Sequence, residues 1–419
     1  MRIRTTGVIA IALATSLIAA GCSSGGGKPT TTKSSSAATT GATLTIWADD
    51  QRAAVLKPFA AKFGSENGVT VNVQAISKDL QTNFVTASQA GKGPDIVVGA
   101  HDWIGNLVQN GTIDPVQLTS QQSAAFAPVA LSAVSFNGQT YGVPYAIENV
   151  ALIRNTDLVP TAPATMEDLI KAGQTLKDAK KVTNIMALQV GQTGDAYHIY
   201  PLFSSGGGYL FGRASNGQWQ PTDVGVDSSG SVAAFTKIQQ LGEKGDGALT
   251  RSITADNAIP TFTGKKTAFL ISGPWAIPDI KKAGIHYDIT PIPSFAGGEP
   301  ASPFVGIQAF FVASKGKSKA LAQEFVTNYV TQPDLQVALY QANPRPPALT
   351  AALTQVEGTD PDITKWFEAS KTGTPMPNIS AMAAIWDPLG KAEAAIIGGA
   401  NVQSTLAAAQ KAITGAIAK

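Results

Sequence analysis

The sequence predicts an α/β fold built as two lobes, and three observations support this prediction. Without its N-terminal segment the chain of 419 residues is still longer than the ~250–300 residues at which a single hydrophobic core usually divides. The first folded part alternates strand and helix patterns, which is typical of a mostly parallel sheet. Further on, two apolar segments, 143–147 and 150–153, flank Glu148 and Asn149. We therefore expect two lobes joined by crossing strands.

The alternation begins at residues 43–47, where polar and apolar side chains follow each other with the period of a half-buried strand. A helix is predicted next, because apolar residues recur at helical spacing up to Phe63, and Gly64 is placed to end it. Strand, helix and strand patterns follow at 69–73, 80–87 and 95–98. Ligands of such sheets bind beyond the carboxyl ends of the strands. The residues after the first and third strands are therefore candidate site residues: Asp49, Asp50, Gln51, Arg52, Asp102 and Trp103.

The later part of the chain continues the α/β pattern and ends in helices. A helix is predicted over 165–180, with Thr165 as its N-cap and two acidic residues in its first turn. Strand patterns occur at 267–271 and near 304–313, and helical patterning dominates from Ala320 to the end. A charged residue such as Glu148 within apolar strand segments needs a functional or structural reason.

The N-terminal segment has the pattern of an export signal. Arg2 and Arg4 precede an apolar run, 7–20, and small residues follow it. The run is shorter than the ~20 apolar residues that a membrane-spanning helix needs. We expect residues 1–21 to be a signal peptide.

Cys22, the only cysteine of the chain, follows this segment and predicts lipid attachment. The residues before it resemble a bacterial lipobox, although Ala19 stands where Leu is usual. Residues 22–41 are rich in Ser, Gly and Thr and predict a flexible linker behind the lipidated cysteine. The mature protein would then be held at the outer face of a bacterial cell membrane. The alternative is an ordinary signal cleavage near Ala20.

Charge and composition argue against several other classes of protein. The net charge of +2 falls to zero when Arg2 and Arg4 are removed, so we expect no nucleic acid partner. The three histidines are far apart in the sequence and no thiolates accompany them, so we expect no metal site and no other cofactor. Since no heptad pattern suggests self-association, we expect a monomer.

Aromatic residues and carboxylates occur together at predicted loop positions. A sugar presents an apolar face, which suits an aromatic ring, and a rim of hydroxyl groups, which suits carboxylates and arginine. The combination favours a neutral carbohydrate as ligand. The aromatic residues are Trp103, Tyr197, Tyr200, Tyr209, Trp275 and Trp386, and the carboxylates are Asp49, Asp50, Asp102, Glu148 and Asp195.

Six short blocks, in order along nearly the whole folded part, resemble the maltose/maltodextrin-binding proteins, which are extracellular solute-binding (family 1) subunits of bacterial carbohydrate ABC importers. The blocks are GPDI to AHD at 93–102, IENVALI at 147–153, DVGVD at 223–227, GPWA at 273–276, PFVG at 303–306, and MPNI at 376–379 leading to Trp386. The resemblance implies a two-lobed periplasmic-binding-protein-like fold with crossing hinge strands and a helical C-terminal part. It implies an N-lobe of 42–146 and 309–357 and a C-lobe of 149–308 and 358–419.

The resemblance also implies roles for individual residues. It implies sugar-hydroxyl contacts for Arg52, Asp102, Glu148 and Asp195, and stacking for Tyr197, Trp275 and Trp386. Gln51 stands where the family commonly has an Asp, and Asp49 or Asp50 would take over that acceptor role.

At three positions the sequence departs from the family pattern. Trp103 replaces an arginine, Gly99 replaces a stacking tryptophan and Gly390 replaces an arginine of the groove. The aromatic ring would have moved from position 99 to 103, which leaves the position of the sugar along the groove open.

By this resemblance, the protein captures maltose or maltodextrins between its lobes and delivers them to the permease subunits of an ABC importer. Two alternatives stay open: another oligosaccharide, such as a galactose-containing or β-linked one, and a sensor that presents sugar to a receptor. A glycoside hydrolase would need two carboxyl groups placed across one glycosidic bond. Because the groove carboxylates are expected to come from separate lobes and to meet hydroxyl groups, we expect no enzymatic activity.

Overall fold

The computed structural model of the protein describes residues 41–215 and 217–418. The predicted signal peptide, Cys22 and the linker up to residue 40 lie outside these described residues. Among the residues described, no helix combines the length and the apolar character that crossing a bilayer requires.

The described chain alternates strands and helices and becomes mainly helical after its longest strand, which confirms the predicted α/β class. The strands are β1 Thr43–Ala48, β2 Thr70–Ala75, β3 Ile96–Ala100, β4 Ile113–Asp114, β5 Ser135–Phe136, β6 Gln139–Thr140, β7 Gly142–Glu148, β8 Ala151–Asn155, β9 Phe211–Arg213, β10 Trp219–Val224, β11 Phe269–Ser272, β12 Tyr287–Thr290, β13 Phe304–Ala313 and β14 Thr374–Pro375.

Most of the helices bury one face against these strands or against each other. They are α1 Asp50–Asn67, α2 Leu80–Gln89, α3 Ile104–Gln109, α4 Ser120–Ala124, α5 Pro128–Ala133, α6 Met166–Asp178, α7 Ala196–Ser205, α8 Ser229–Gln240, α9 Ala258–Thr263, α10 Ile277–Lys282, α11 Lys319–Glu324, α12 Pro333–Ala342, α13 Thr350–Glu357, α14 Asp362–Ser370, α15 Trp386–Ile397 and α16 Val402–Ile417. Short 3-10 turns at His101–Trp103 and Pro274–Ala276 follow β3 and β11.

The larger sheet has the order β14-β13-β3-β1-β2, and β4 and β7 also pair with β13. β1 pairs in parallel with β2 and with β3, as the alternating pattern predicts. The prediction of a mostly parallel sheet is wrong for the sheet as a whole, because β13 runs parallel to β14 but antiparallel to β3, β4 and β7. A strand that returns from the other lobe enters this sheet in the opposite direction.

The smaller sheet has the order β11-β8-β12, and both of its pairings are antiparallel. The chain passes between this sheet and the larger one twice, from β7 to β8 and from β12 to β13. β7 pairs with β13 in the larger sheet and ends at Glu148, and β8 begins three residues later in the smaller sheet. β13 pairs with β14 at its start and with β3 at its end. The predicted crossing strands are therefore confirmed.

Separate hydrophobic cores lie on the two sheets, so the described chain forms two lobes. One core combines residues of β1, β3, β7 and nearly all of β13 with α1 and α12. A second core combines α6, α7, α8, α15 and α16 with one face of the smaller sheet, and a third packs α9, α10 and α14 on its other face. Because the apolar area is buried in separate cores on the two sheets, the seam between the sheets is open to polar side chains.

Two helix ends test local sequence rules. α6 begins after Thr165, whose hydroxyl oxygen accepts the Asp168 N–H, as predicted. The predicted end of α1 at Gly64 is wrong, because the helix continues to Asn67 and Gly68 adopts the left-handed conformation with a φ of 67°. Gly64 lies inside the helix, where an added Cβ would be 2.7 Å from the Val69 carbonyl oxygen. Its lack of a side chain therefore serves close packing.

Candidate functional site

The candidate site lies between the lobes, where the ends of β1 and β3 face the crossing strands and the first turns of α7 and α15. Asp49 follows β1 and caps α1, since its carboxylate accepts the Arg52 N–H at 2.9 Å. The Arg52 guanidinium pairs with Asp49 and donates to the Tyr145 hydroxyl of β7. Asp50 and Gln51 are exposed at the start of α1, and Gln51 contacts the Asn343 amide.

Asp102 and Trp103 follow β3 in the 3-10 turn, and Asp102 is only 8 % exposed. Burial raises the pKa of Asp102 to about 7, and the negative charge of Glu148 acts in the same direction. The indole N–H of Trp386 approaches the Asp102 carboxyl from the other lobe and partly opposes this rise in pKa. The carboxyl is therefore a hydrogen-bond donor as well as an acceptor near neutral pH.

His101 of the same turn is fully buried and fixes the turn to its surroundings. Its Nδ1 accepts the Ile307 N–H at 3.0 Å, so its Nε2 carries the proton and donates to the Met376 carbonyl at 3.1 Å. Burial lowers the pKa of His101 to about 4. The histidine is thus a neutral structural support for Asp102.

The indole of Trp103 lies against Gly99, where an added Cβ would be 2.0 Å from a ring carbon. A side chain at position 99 and the ring of Trp103 therefore exclude each other. The two departures from the family pattern at this end of the groove are one coupled change. A pocket of ≈ 280 Å³ opens here, and its lining includes Asp49, Arg52, Gly99, Trp103 and Gln308.

Glu148 lies at the end of β7 and is 7 % exposed. It forms an ion pair with Arg345 and accepts a hydrogen bond of 2.8 Å from the Gln308 side-chain amide. Burial alone would raise the pKa of Glu148, but the positive charges of Arg345 and Arg52 outweigh it and lower the pKa. The carboxylate is therefore ionised and paired at the crossing between the lobes.

The wall on the other lobe is aromatic. Trp275 lies in the 3-10 turn after β11, with its ring against Gly273. The Tyr197 ring centroid is 6.5 Å from that of Trp275 and 6.1 Å from that of Phe304. Phe304 in turn meets Trp386 edge to face at 6.0 Å. The three predicted stacking residues are therefore brought together.

Asp195 is the N-cap of α7, and both of its carboxylate oxygens accept hydrogen bonds from the protein itself. One of its oxygens accepts the N–H groups of Tyr197 and His198, at 3.1 and 2.9 Å, and faces the His198 ring at 3.0 Å. The other oxygen accepts the Gln189 amide. Burial alone would raise the pKa of Asp195, but His198 and these hydrogen bonds lower it to about 2.

The Tyr197 hydroxyl is buried and has no hydrogen-bond partner within the described part of the chain. Its pKa is raised well above its ordinary value by burial, and the charges of Glu148, Arg345, Asp195 and Asp102 all act on it. The hydroxyl is therefore a buried polar group that lies within the electrostatic influence of the site's charged residues.

Gly390 lies in α15 beneath the loop that precedes α7. A Cβ on Gly390 would be 2.8 Å from the Thr193 carbonyl oxygen, and Gly194 packs directly on the Gly390 backbone with a φ of 75°. The loop thus occupies the space into which a longer side chain at position 390 would project.

Four residues of the site escaped the sequence analysis: Tyr145, Phe304, Gln308 and Arg345. Arg345 is the most central, because it pairs with Glu148 and its guanidinium carbon lies 5.1 Å from the Trp275 ring centroid. Gln308 could have been found from the sequence, since it is the one polar side chain in the apolar strand β13. Arg345 stands among three prolines, a pattern that by itself indicates only a rigid loop.

Two lobes, crossing strands and a seam lined by rings on one side and polar groups on the other are typical of a ligand-binding protein. Within residues 41–215 and 217–418, no cluster of His, Cys, Asp or Glu is arranged to hold a metal ion.

The chain belongs to the bacterial extracellular solute-binding proteins, whose family model matches residues 58–371. It is 30 % identical over 355 residues to the maltodextrin-binding protein MdxE of Bacillus subtilis (strain 168), covering 82 % of each chain. It is 28 % identical over 362 residues, 83 % of each chain, to the galactooligosaccharide-binding protein of the same organism. A maltooligosaccharide ABC transporter solute-binding lipoprotein of Streptococcus pneumoniae (strain ATCC BAA-255 / R6) is 29 % identical over 355 residues, with 82 % of this chain and 81 % of the relative covered.

The raised pKa of Asp102 makes stability depend on pH. Its carboxyl has a pKa of about 7 in the fold against an ordinary value of 3.8, so its protonated form stabilises the fold fully below about pH 4 and loses this effect as pH rises to 7. Asp102→Asn stays neutral throughout. Its free energy of unfolding, measured by urea denaturation, should rise relative to wild type by ~1–4 kcal/mol between pH 4 and 7.5. If the difference in free energy of unfolding between Asp102→Asn and wild type does not change with pH, the conclusion that Asp102 is buried in its uncharged form is wrong.

Proposed function

We propose that this protein captures a neutral, maltodextrin-type oligosaccharide between its lobes, 42–146 with 309–357 and 149–308 with 358–419, and delivers it to the permease subunits of an ABC importer. The single observation that carries the proposal is the pairing of an aromatic wall with a polar wall across one seam. Trp386 approaches Asp102, Trp275 lies beside the Arg345 guanidinium that pairs with Glu148, and Tyr197 packs beside Trp275. Such a seam fits the apolar face and the hydroxyl rim of a sugar ring.

The charges of the cleft favour a neutral ligand. Arg52 is paired with Asp49, and Arg345 is paired with Glu148. Asp102 is largely protonated below about pH 7. An acidic sugar would have to compete with the carboxylate of one of these pairs, and breaking the buried Glu148–Arg345 pair would leave an uncompensated charge, which is strongly unfavourable. Hydroxyl groups, in contrast, can bond to the paired groups without separating them.

The proposed contacts differ in how directly they would act. Asp102, Glu148, Arg52 and the free Tyr197 hydroxyl would bond to sugar hydroxyls, and Trp103 would extend the stacking surface. Asp195 would act mainly by holding the first turn of α7. Contacts of Asp49, Asp50 and Gln51 would require the sugar to reach the start of α1.

A bound sugar would contact both lobes, so it would stabilise the closed arrangement of the two lobes. The approach of Trp386 to Asp102 and of Arg345 to Trp275 joins residues that belong to different sides of the seam. A ligand that touches both sides shifts the equilibrium toward the closed form by its differential affinity for that form. We propose that the permease distinguishes the closed form from the open one.

The relatives' names favour maltooligosaccharides, and the changes in the groove keep a galactooligosaccharide as the second candidate. MdxE and the pneumococcal lipoprotein are named for maltodextrin or maltooligosaccharide, and another Bacillus subtilis relative is named for galactooligosaccharide. The Trp103 ring against Gly99 and the loop packed over Gly390 determine which side chains can stand at these two positions. A sensor that presents sugar to a receptor would use the same cleft.

We propose binding without catalysis. Glu148 is held by Arg345 and Gln308, and Asp102 faces Trp386 of the other lobe. Hydrolysis needs one carboxyl group free to donate to the glycosidic oxygen and a second group on the opposite side of the same bond. The sugar should therefore be recovered intact after incubation.

A thermal-shift screen of residues 42–419 tests the ligand. Maltose, maltotriose, longer and cyclic maltodextrins, galacto-oligosaccharides, and galacturonic acid oligomers as the acidic control should be compared. A ligand at 100 times its dissociation constant stabilises the fold by ~2.7 kcal/mol, which raises the thermal midpoint measurably. We expect a rise with neutral maltodextrins and none with the acidic oligomers. A response to galacto-oligosaccharides alone would mean that these, and not maltodextrins, are the ligand. A response to none of the sugars would contradict the proposal.

Trp275 should contribute directly to sugar affinity. Trp275→Ala removes a stacking face and the ring beside Arg345, and we expect the dissociation constant measured by calorimetry to rise ~10-fold or more. Trp219→Ala is the matched control, because this ring lies on β10 under the Arg213 guanidinium at 3.6 Å, in the hairpin with β9. Normal affinity of Trp275→Ala with a large loss of stability would assign Trp275 to packing alone.

Lipid attachment at Cys22 is the remaining part of the proposal, and it rests on the sequence before Cys22 and on a relative that is named a lipoprotein. Cys22→Ala should move the protein from the membrane fraction to the soluble fraction, because the acyl chains provide the anchor. The measurement is fractionation of cells that express the full chain, with Ser23→Ala as the control. Undiminished membrane retention of Cys22→Ala would contradict the anchor.

A further inference from the structure

Glu393 is a fully buried carboxyl group that no part of the proposed function uses. It lies in α15 with 0 % of its surface exposed. One carboxyl oxygen accepts the Asp195 N–H at 2.7 Å, and the other has no hydrogen-bond partner within the described part of the chain. A buried carboxyl is costly unless it makes a bond that matters. The bond that it makes ends at the first turn of α7.

The start of α7 has little support of its own. The loop before it contains Gly191 and Gly194, both in the left-handed region with φ of 67° and 75°. Pro201 lies inside α7 and has no N–H, so the helix lacks the hydrogen bond that residue 201 would give to the Tyr197 carbonyl. The first turn therefore depends on the Asp195 cap, and Glu393 holds the backbone of the capping residue.

The electrostatic surroundings suit a neutral acceptor at this point. The groups that face Glu393 at this contact belong to the Asp195 cap, whose carboxylate is already bonded to His198 and Gln189. Burial, and next the negative charge of Asp195, raise the pKa of Glu393 well above its ordinary value. Glu393 can thus hold the Asp195 N–H without placing a second negative charge beside that carboxylate.

We propose that Glu393 is a positioning residue of the ligand cleft: it fixes the start of α7, and through it Tyr197, and so raises the affinity for a ligand that it does not touch. This rests on the proposed function in one respect, since the affinity concerned is that of the proposed sugar. The order of the first turn of α7 is a separate consequence that can be measured without any sugar.

The experiment compares three variants. Glu393→Met keeps the size of the side chain and removes the acceptor, and Glu393→Gln keeps an acceptor oxygen. Gln410→Met is the matched control, because Gln410 makes the same kind of bond elsewhere in this lobe, accepting the Val226 N–H at 3.1 Å and donating to the Val224 carbonyl at 2.6 Å. The measurements are amide hydrogen exchange over 196–199 without ligand and calorimetric affinity for the maltodextrin that stabilises the wild type most.

An unpaired buried N–H is unfavourable enough to change a local opening equilibrium by about tenfold or more. We therefore expect Glu393→Met to increase both the exchange rate over 196–199 and the dissociation constant by ~10-fold. Both quantities should stay within ~2-fold of wild type in Glu393→Gln. Gln410→Met should lower the thermal midpoint and leave both measurements unchanged.

Unchanged exchange and affinity in Glu393→Met would overturn the positioning role, as would a Glu393→Gln variant that behaves like Glu393→Met. Should Glu393→Met fail to fold, Glu393→Leu replaces it, and failure of both would assign Glu393 to fold stability and overturn the inference. If the wild type binds no sugar of the set, the proposed function fails, while hydrogen exchange still decides whether Glu393 orders α7.

Discussion

The ion pair between Glu148 and Arg345 is the interaction on which the geometry of the cleft depends. Glu148 ends the crossing strand β7, and Arg345 belongs to a segment that pairs with the same strand, since Pro346 accepts the Ile147 N–H at 2.8 Å. Removal of either partner would leave a buried charge without compensation. Because the Arg345 guanidinium also lies over Trp275, the pair connects the crossing between the lobes with the aromatic wall.

The pairing of charges within the protein also bears on how a neutral ligand would bind. The cost of removing Arg52, Asp49, Glu148 and Arg345 from water is met when the chain folds, because each has its partner in place. A sugar then displaces water from groups that are already oriented, and little free energy is lost in ordering them. The Tyr197 hydroxyl, buried without a partner, would gain one on binding.

Local patterns predict the parts of this molecule that depend on neighbouring residues in the chain. The parallel start of the sheet, the crossing at Glu148 and the Thr165 cap all follow from periodicity or capping rules. Arg345 could not be found this way, because its partners are distant in sequence and only the fold brings them together. Asp195 illustrates another limit, since a carboxylate that caps a helix and one that meets a ligand look alike in sequence.

The departures from the family pattern are physically coupled to their surroundings. The Trp103 ring takes the space that a side chain at position 99 would fill, so a ring remains at this end of the groove although its position changes. Gly390 faces the loop at Gly194, so an arginine there would require the loop to move, and that loop is continuous with the Asp195 cap. An arginine restored at position 390 alone would therefore disturb the start of α7 before it reached a ligand. The shape of the groove is set by packing behind its walls, and the side chains that line it can be exchanged only together with that packing.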